Sequence, residues 1–401
     1  MIRERFLVYS INAMLIGLII ANIKIGDTSI STYISVTVLS LSVIVFFPER
    51  LKIDSLLRIV LLLILVLSFF MALWSYFWFS EPGFDFSSFY KNALLFYLYL
   101  FYFLFVGFFS KENPAIASKS YREIGKFMYL TLQINSVFVI VQFILFRLFG
   151  YNLTFPWSIS SGLFSSFRPP GFFSEPAHFA EYFLIYVFVF GKEFDLKDLL
   201  ILTALSVSSS MLGFISIFVF IVYSALFGIK RKQEMILLIF SFVAFSMVNL
   251  LFNPDIRFRV NLISDNSFKL RFLKFFYVFS SLNAKKILIG FGFAQSGLAI
   301  NYYNGPYESL FQLLPGYFSG IGNNLLMIGA ICSVIIECFL FYYFLRTKGI
   351  IKGLFFAFIF LGMRLIADIN FTISMFWLPL YLILMNYYSL CFVGEKNEQN
   401  N

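Results

Sequence analysis

Charge is scarce in this chain. Of its 401 residues 13% are charged, against 60% hydrophobic and 21% aromatic, so no stretch has the composition of a separate water-soluble domain. Cysteine is scarcer still. Cys332, Cys338 and Cys391 each stand in or beside an apolar segment, with neither CxxC nor Cys/His spacing, which speaks against a disulfide framework and a zinc site. They read as helix-packing residues. No P-loop lysine motif, no GxGxxG opening a helix after a strand, no GxSxG elbow and no Asp-x-Asp pair stands in a suitable context. That disfavours an ATP-driven pump and a nucleotide-sugar enzyme with a metal clamp; no cofactor, metal or nucleic acid is expected. Repeats of fixed period and low-complexity linkers are also missing. Nor does the start, Met1-Ile-Arg-Glu-Arg-Phe6, carry a small-residue cleavage site, so it reads as the approach to a retained first span.

What is abundant is long apolar sequence. Cutting the chain at its polar clusters leaves segments near 6–22, 30–47, 56–79, 92–109, 127–149, 177–191, 198–210, 212–228, 234–252, 322–345, 352–367 and 371–392, most of them close to the ~20 residues that span a bilayer core. The stretch from Asp198 to Gly228 is too long for one upright helix and short for two. Charge parity decides it: Lys192 and Lys197 before it and Lys230-Arg231-Lys232 after it both belong in the cytoplasm, so the chain turns back near Ser208-Ser209-Ser210. Further cytoplasmic clusters at Arg50, Lys52 and Arg58, at Lys111, Lys119, Arg122 and Lys126, and at Arg346, Lys348 and Lys352 support both termini lying inside. The expected fold is an all-α polytopic integral membrane protein of about twelve transmembrane helices, one transmembrane domain over 1–401 with a large extracytoplasmic loop at 253–321.

That loop is basic. Arg257, Arg259, Lys269, Arg271, Lys274, Lys285 and Lys286 face only Asp255, Asp265 and Glu308, a departure from the positive-inside trend that a polyanionic ligand explains and that anionic lipid head groups would also explain. From Ser267 to Ser280, Phe268, Phe272, Phe275, Phe276 and Phe279 recur at helical spacing with Arg271 and Lys274 off the stripe, which predicts a helix lying in the outer interface. Gly290-Phe291-Gly292 then breaks the chain.

Chemistry concentrates between the fifth and sixth segments, where Arg168, Glu175, Glu181 and the sole histidine, His178, fall within a few residues of one another. Pro169-Pro170-Gly171 makes an extended turn, and Pro176 suits the first turn of a helix, so Glu175 stands at its amino end with His178 in its first turn. Glu175 there can accept a proton or a sugar hydroxyl, and His178 titrates in its unperturbed form near neutrality. The plain alternative is an acidic cap, a neutralising arginine and a histidine bonded to a carbonyl. Elsewhere, Arg364 and Asp368 stand four apart and can pair on one helix face. Asn323-Asn324 open the tenth segment and either cap it or bind a polar substrate. Arg147 can snorkel to an interface.

The order Arg168-x-x-Gly171-x-x-x-Glu175-Pro176, then Ser208-Ser-Ser210-Met-Leu-Gly213, Arg257-x-Arg259, Asn266-Ser267-x-x-x-Arg271 and Ile289-Gly290-Phe-Gly292 resembles the Wzy-type O-antigen and capsule repeat-unit polymerases, which group with the O-antigen ligases. The likeness covers the chain from about Phe167 to Ile328. It implies a glycosyltransferase of the cytoplasmic membrane that passes a growing glycan from undecaprenyl pyrophosphate onto the next lipid-linked repeat, on the outer face, without nucleotide sugar or metal. Implied partners are the lipid-linked oligosaccharides, the bilayer, a chain-length regulator and a flippase. Arg168, Arg257, Arg259 and Arg271 would grip pyrophosphate, with Lys274, Asn323 and Asn324 as further substrate contacts. Glu175 would be the first choice of base and His178 the second. Ligases of that superfamily typically carry His-Asn where this chain has Asn323-Asn324, which weighs against the ligase alternative. A lipid-linked oligosaccharide flippase or transporter is the alternative of a different class.

Overall fold

The computed structural model describes residues 2–20, 23–25, 28–45, 55–78, 82–158, 167–191, 198–208, 210–227, 240, 270, 273–305, 307–312, 315–316, 318–366, 369 and 374–399. Among them every element is helical except a two-residue antiparallel ladder, Lys24–Ile25 against Thr28–Ser29. The longer helices are α1 (Ile2–Ile19), α2 (Ile30–Val45), α3 (Ser55–Trp78), α4 (Phe86–Glu112), α5 (Pro114–Phe149), α6 (Pro176–Phe190), α7 (Asp198–Val207) and α8 (Met211–Phe227). After the short helices α9 (Lys274–Ser280), α10 (Ala284–Ile289) and α11 (Glu308–Gln312) come α12 (Gly320–Lys348), α13 (Ile350–Ile366) and α14 (Ser374–Gln399). By length and composition α4, α5 and α12 can each cross a bilayer, with 27, 36 and 29 residues. Apart from that short ladder the described residues are helical, and the long apolar helices suit a helical membrane protein.

Where they are described, the apolar segments expected from the sequence lie on helices over most of their length, apart from 234–252, which falls almost wholly outside the described residues. The Asp198–Gly228 stretch does divide, α7 ending at Val207 and α8 starting at Met211. The main difference is at α5, which begins at Pro114 and not near 127. Its first turns carry Lys119, Arg122 and Lys126. Hydropathy marks where a segment leaves the hydrocarbon, whereas a helix continues until a breaker stops it. Of the three cysteines, all free, Cys332 is buried as a packing residue would be, and Cys338 and Cys391 are exposed.

The chain divides into two compact units, Met1–Val38 with Lys119–Asp265, and Leu39–Ser118 with Asn266–Asn401. In the first, α6 is buried continuously from Phe179 to Val189, as suits a helix whose side chains over that run are apolar except for Glu181. Gly191, at φ 57°, ends it, its N–H donating to the Val187 carbonyl. Ser216 of α8 donates to the Ala180 carbonyl of α6, and Tyr129 of α5 donates to Asp198 at the start of α7.

In the second unit α4 and α14 join through aromatic pairs, Tyr99 stacked on Trp377 and Tyr102 edge-on to Tyr381. Helix α12 is broken: Gly329 has φ 73° and ψ 170°. The Leu326 and Met327 carbonyls just before the break accept from the N–H groups of Phe291 and Gly292, at 2.8 and 2.7 Å. Trp74 of α3 donates to the Ile289 carbonyl at 2.6 Å. The Gly290-Phe291-Gly292 segment thus docks into the break and satisfies backbone groups that a bilayer would leave bare. A Cβ on Gly290 would meet the Gly329 nitrogen and the Met327 carbonyl, so glycine is required on both sides of this contact.

Candidate functional site

The Pro169-Pro170-Gly171 turn is held from α5. Gln142 and Gly171 exchange two hydrogen bonds, the Gln142 amide donating to the Gly171 carbonyl at 3.0 Å and the Gly171 N–H donating to the Gln142 carbonyl oxygen at 2.8 Å. One turn-pair earlier on the same helix face, the Asn135 side-chain oxygen accepts from the Phe172 N–H at 2.8 Å. Trp157 and Ser158 donate to the carbonyls of Phe172 and Phe173 at 2.9 and 2.7 Å. Gly171 has φ 67°, and a Cβ there would fall on the Asn135 amide. Four side chains therefore fix five backbone groups between Arg168 and Glu175, which is how a turn is made rigid enough to aim side chains.

Arg168 and Glu175 leave this turn half-buried. Glu175 is the N-cap residue of α6, with extended backbone angles, yet its carboxylate makes no capping bond. Instead the residue before it reaches past: the Ser174 hydroxyl lies 2.5 Å from Nδ1 of His178, which is half-buried in the first turn. Glu181, one turn further, is buried. Arg168, Glu175 and His178 are thus carried on one clamped turn, as the sequence led one to expect. Asn135, Gln142, Trp157, Ser158 and Ser174 were not anticipated. The available signal was two amides seven residues apart in an apolar helix, where each needs a partner.

The second unit holds Lys274, Asn323 and Asn324. Asn323 and Asn324 are buried in the first turn of α12, but the cap is Ser319, whose hydroxyl oxygen accepts from the Gly322 N–H. Asn323 accepts from the Ser296 hydroxyl at 2.8 Å, tying the segment after Gly290-Phe291-Gly292 to α12. Lys274 points inward, contrary to its expected place on a polar face. It is fully buried, donates to the Pro315 carbonyl at 3.1 Å and sits 4.4 Å above the Phe318 ring. Burial lowers its pKa to about 7. This ammonium serves the loop's own core, which Val278, Phe291, Ile300, Phe311 and Phe318 build. The shift in helical face is small: Lys274 and Val278 are buried with Phe275 and Phe279 beside them, while Phe276 is exposed. Arg257, Arg259 and Arg271 lie outside the described residues, as does Asp368. Arg364, expected to pair with Asp368, makes a two-point contact with Glu337 of α12, at 2.9 and 2.7 Å.

Compared with protein-family models, curated proteins and solved structures, the chain matches none.

Proposed function

We propose that this protein is a membrane glycosyltransferase that polymerises undecaprenyl-pyrophosphate-linked repeat units into O-antigen, capsule or exopolysaccharide on the outer face of the cytoplasmic membrane. In this reading the chain crosses about twelve times with both termini in the cytoplasm, and the 253–321 loop lies outside. The supporting observation is the clamped turn that carries Arg168, Glu175 and His178 to the start of a buried helix that is apolar beyond Glu181. A cation, a carboxylate and an imidazole on rigid backbone suit a reaction that needs charge stabilised at one end and a proton removed at the other.

The step balances without a metal. The acceptor hydroxyl oxygen attacks the anomeric carbon of the donor glycan, and its proton passes to the Glu175 carboxylate. The bond from that carbon to the pyrophosphate oxygen breaks, and its electron pair leaves on undecaprenyl pyrophosphate. Arg168 faces the charge that develops there, a task that the resemblance gives also to Arg257, Arg259 and Arg271; Lys274, which the resemblance made a further substrate contact, is withdrawn from that role. Guanidinium binds phosphate oxygens at two points, which an ammonium cannot reproduce.

The test is a cell-free assay with purified protein and lipid-linked repeats. Arg168→Ala is expected to abolish long polymer while single-repeat material persists, and Arg168→Lys to restore only part of it. Normal polymer from the Ala variant at normal protein level would remove Arg168 from the mechanism. One observation favours a second reading, a lipid-linked oligosaccharide flippase: Glu337, midway along α12, pairs with Arg364 in the last turn of α13, and ionisable groups so placed in apolar helices can mark transport paths. Translocation of lipid-linked repeats across proteoliposomes, with no elongation, would decide for it.

A further inference from the structure

The segment from α9 to α11 carries an aromatic face that the step above does not use. Tyr277 of α9 and Tyr307, the residue before α11, have ring centroids 5.8 Å apart and planes 53° to one another, and both are exposed, at 40% and 36%. Buried rings support them. Phe311 stands 5.9 Å from Tyr307 and 6.4 Å from Tyr277, and Tyr303 lies 5.4 Å from Phe311. Local sequence explains the arrangement: Tyr307 and Phe311 are four apart and share one face of the helical turn, where the Phe311 N–H donates to the Tyr307 carbonyl at 2.9 Å. One position along is a second pair four apart, Glu308 and Gln312, whose side chains meet at the surface, the Gln312 amide donating to the carboxylate at 2.9 Å. The other carboxylate oxygen and the Gln312 carbonyl oxygen remain as acceptors.

We propose that this face is a glycan-binding site, in which Tyr277 and Tyr307 stack on the C–H faces of sugar rings and the Glu308–Gln312 pair accepts hydrogen bonds from sugar hydroxyls. The inference rests on the polymerase reading, which supplies a glycan on the outer side of the membrane. Sugar chemistry fits both parts of the face. A pyranose carries weakly positive C–H bonds over its ring and hydroxyls around its edge; an aromatic ring is negative over its face, and carboxylate and amide oxygens accept from hydroxyls. Tyrosine offers that contact from a rigid side chain at small entropic cost. Anionic lipid suits this face poorly. Glu308 is the one charged residue between Tyr303 and Gln312, and the one charged residue of α9, Lys274, is buried.

The probe is the oligosaccharide released by mild acid from the lipid-linked repeats that accumulate in cells deprived of this protein. Added to the full-length protein in nanodiscs, it should show saturation transfer to its ring C–H protons when the aromatic protons are irradiated. Tyr277→Leu and Tyr307→Ala should each weaken binding by about 10-fold, Glu308→Ala should weaken it several-fold, and Tyr277→Phe should keep it near wild type. In the polymer assay the weak binders should raise KM by a similar factor and leave kcat nearly unchanged, because a contact with sugars that do not react holds ground and transition states alike. Absence of saturation transfer in wild type, or binding indifferent to Tyr277→Leu, Tyr307→Ala and Glu308→Ala, would overturn the proposal and leave the polymerase reading in place. So would a bimane on Ser309→Cys, in a cysteine-free background, that brominated lipid quenches and iodide does not, since the bilayer would then cover this face. If no lipid-linked repeat accumulates, the polymerase reading falls, and this site loses its ligand with it.

Discussion

Glu175 and His178 stand three residues apart, and a pair of substitutions separates their roles. Glu175→Gln keeps size and the helix start but loses proton affinity, so polymer formation should fall by roughly 10²-fold or more. His178→Gln should lose much less, because in this reading Glu175 takes the proton. The reverse order, with activity declining as pH drops through the imidazole range, would make His178 the base. Lys274 offers a prediction independent of activity. Burial holds its folded-state pKa at about 7 against an ordinary 10.5. Below pH 7 the group is charged in both states, and the folded state bears the full burial penalty. Between about 7 and 10.5 the unfolded chain keeps the proton that the folded chain releases, so stability rises with pH across that window. Thermal unfolding followed at pH 6, 7.5 and 9 should show this slope in wild type and a flatter one in Lys274→Met, which should also be the more stable at pH 6. Equal slopes would mean that the loop opens to solvent around Lys274.

At the scale of elements, the broken helix α12 is the feature that hydropathy alone does not reveal. Gly329 has φ 73°, and a Cβ on it would fall on the Ile289 carbonyl carbon and the Leu288 oxygen. Gly329→Ala should therefore displace the docked loop and reduce the yield of monodisperse protein on size exclusion. Gly362 of α13 has nothing within 4 Å of a built Cβ, and Gly362→Ala should be neutral or slightly stabilising. A Gly329→Ala protein as well behaved as Gly362→Ala would show that the docked loop contributes little. Similar reasoning separates what was legible at the clamped turn. Pro169-Pro170-Gly171 and Pro176 announce a turn and a helix start through their own backbone restrictions. That Asn135 and Gln142 hold the turn depends on two segments meeting in space, which no spacing rule encodes.

For the molecule as a whole, orientation is the property on which the proposed outer-surface chemistry depends. In a cysteine-free background, a cysteine at Asn304 should react with an impermeant maleimide in intact cells, and one at Ser118 should react only after permeabilisation. Labelling of Ser118 from outside would invert the topology and place the Arg168–His178 turn on the wrong side for an outer-face polymerase.

The sequence by itself determined the all-helical membrane class, the position of most helices, the division of the Asp198–Gly228 stretch and the turn on which Arg168, Glu175 and His178 sit. Each depends on composition or on neighbours along the chain: a bilayer demands runs of about twenty apolar residues, and proline and glycine restrict their own backbone. Tertiary structure alone decided that Lys274 faces inward, that Arg364 pairs with Glu337, and that a glycine break receives the Gly290-Phe291-Gly292 segment. The physical reason is common to all three. A buried polar group takes whichever partner the packing brings within hydrogen-bond reach, and here each partner lies far away in sequence.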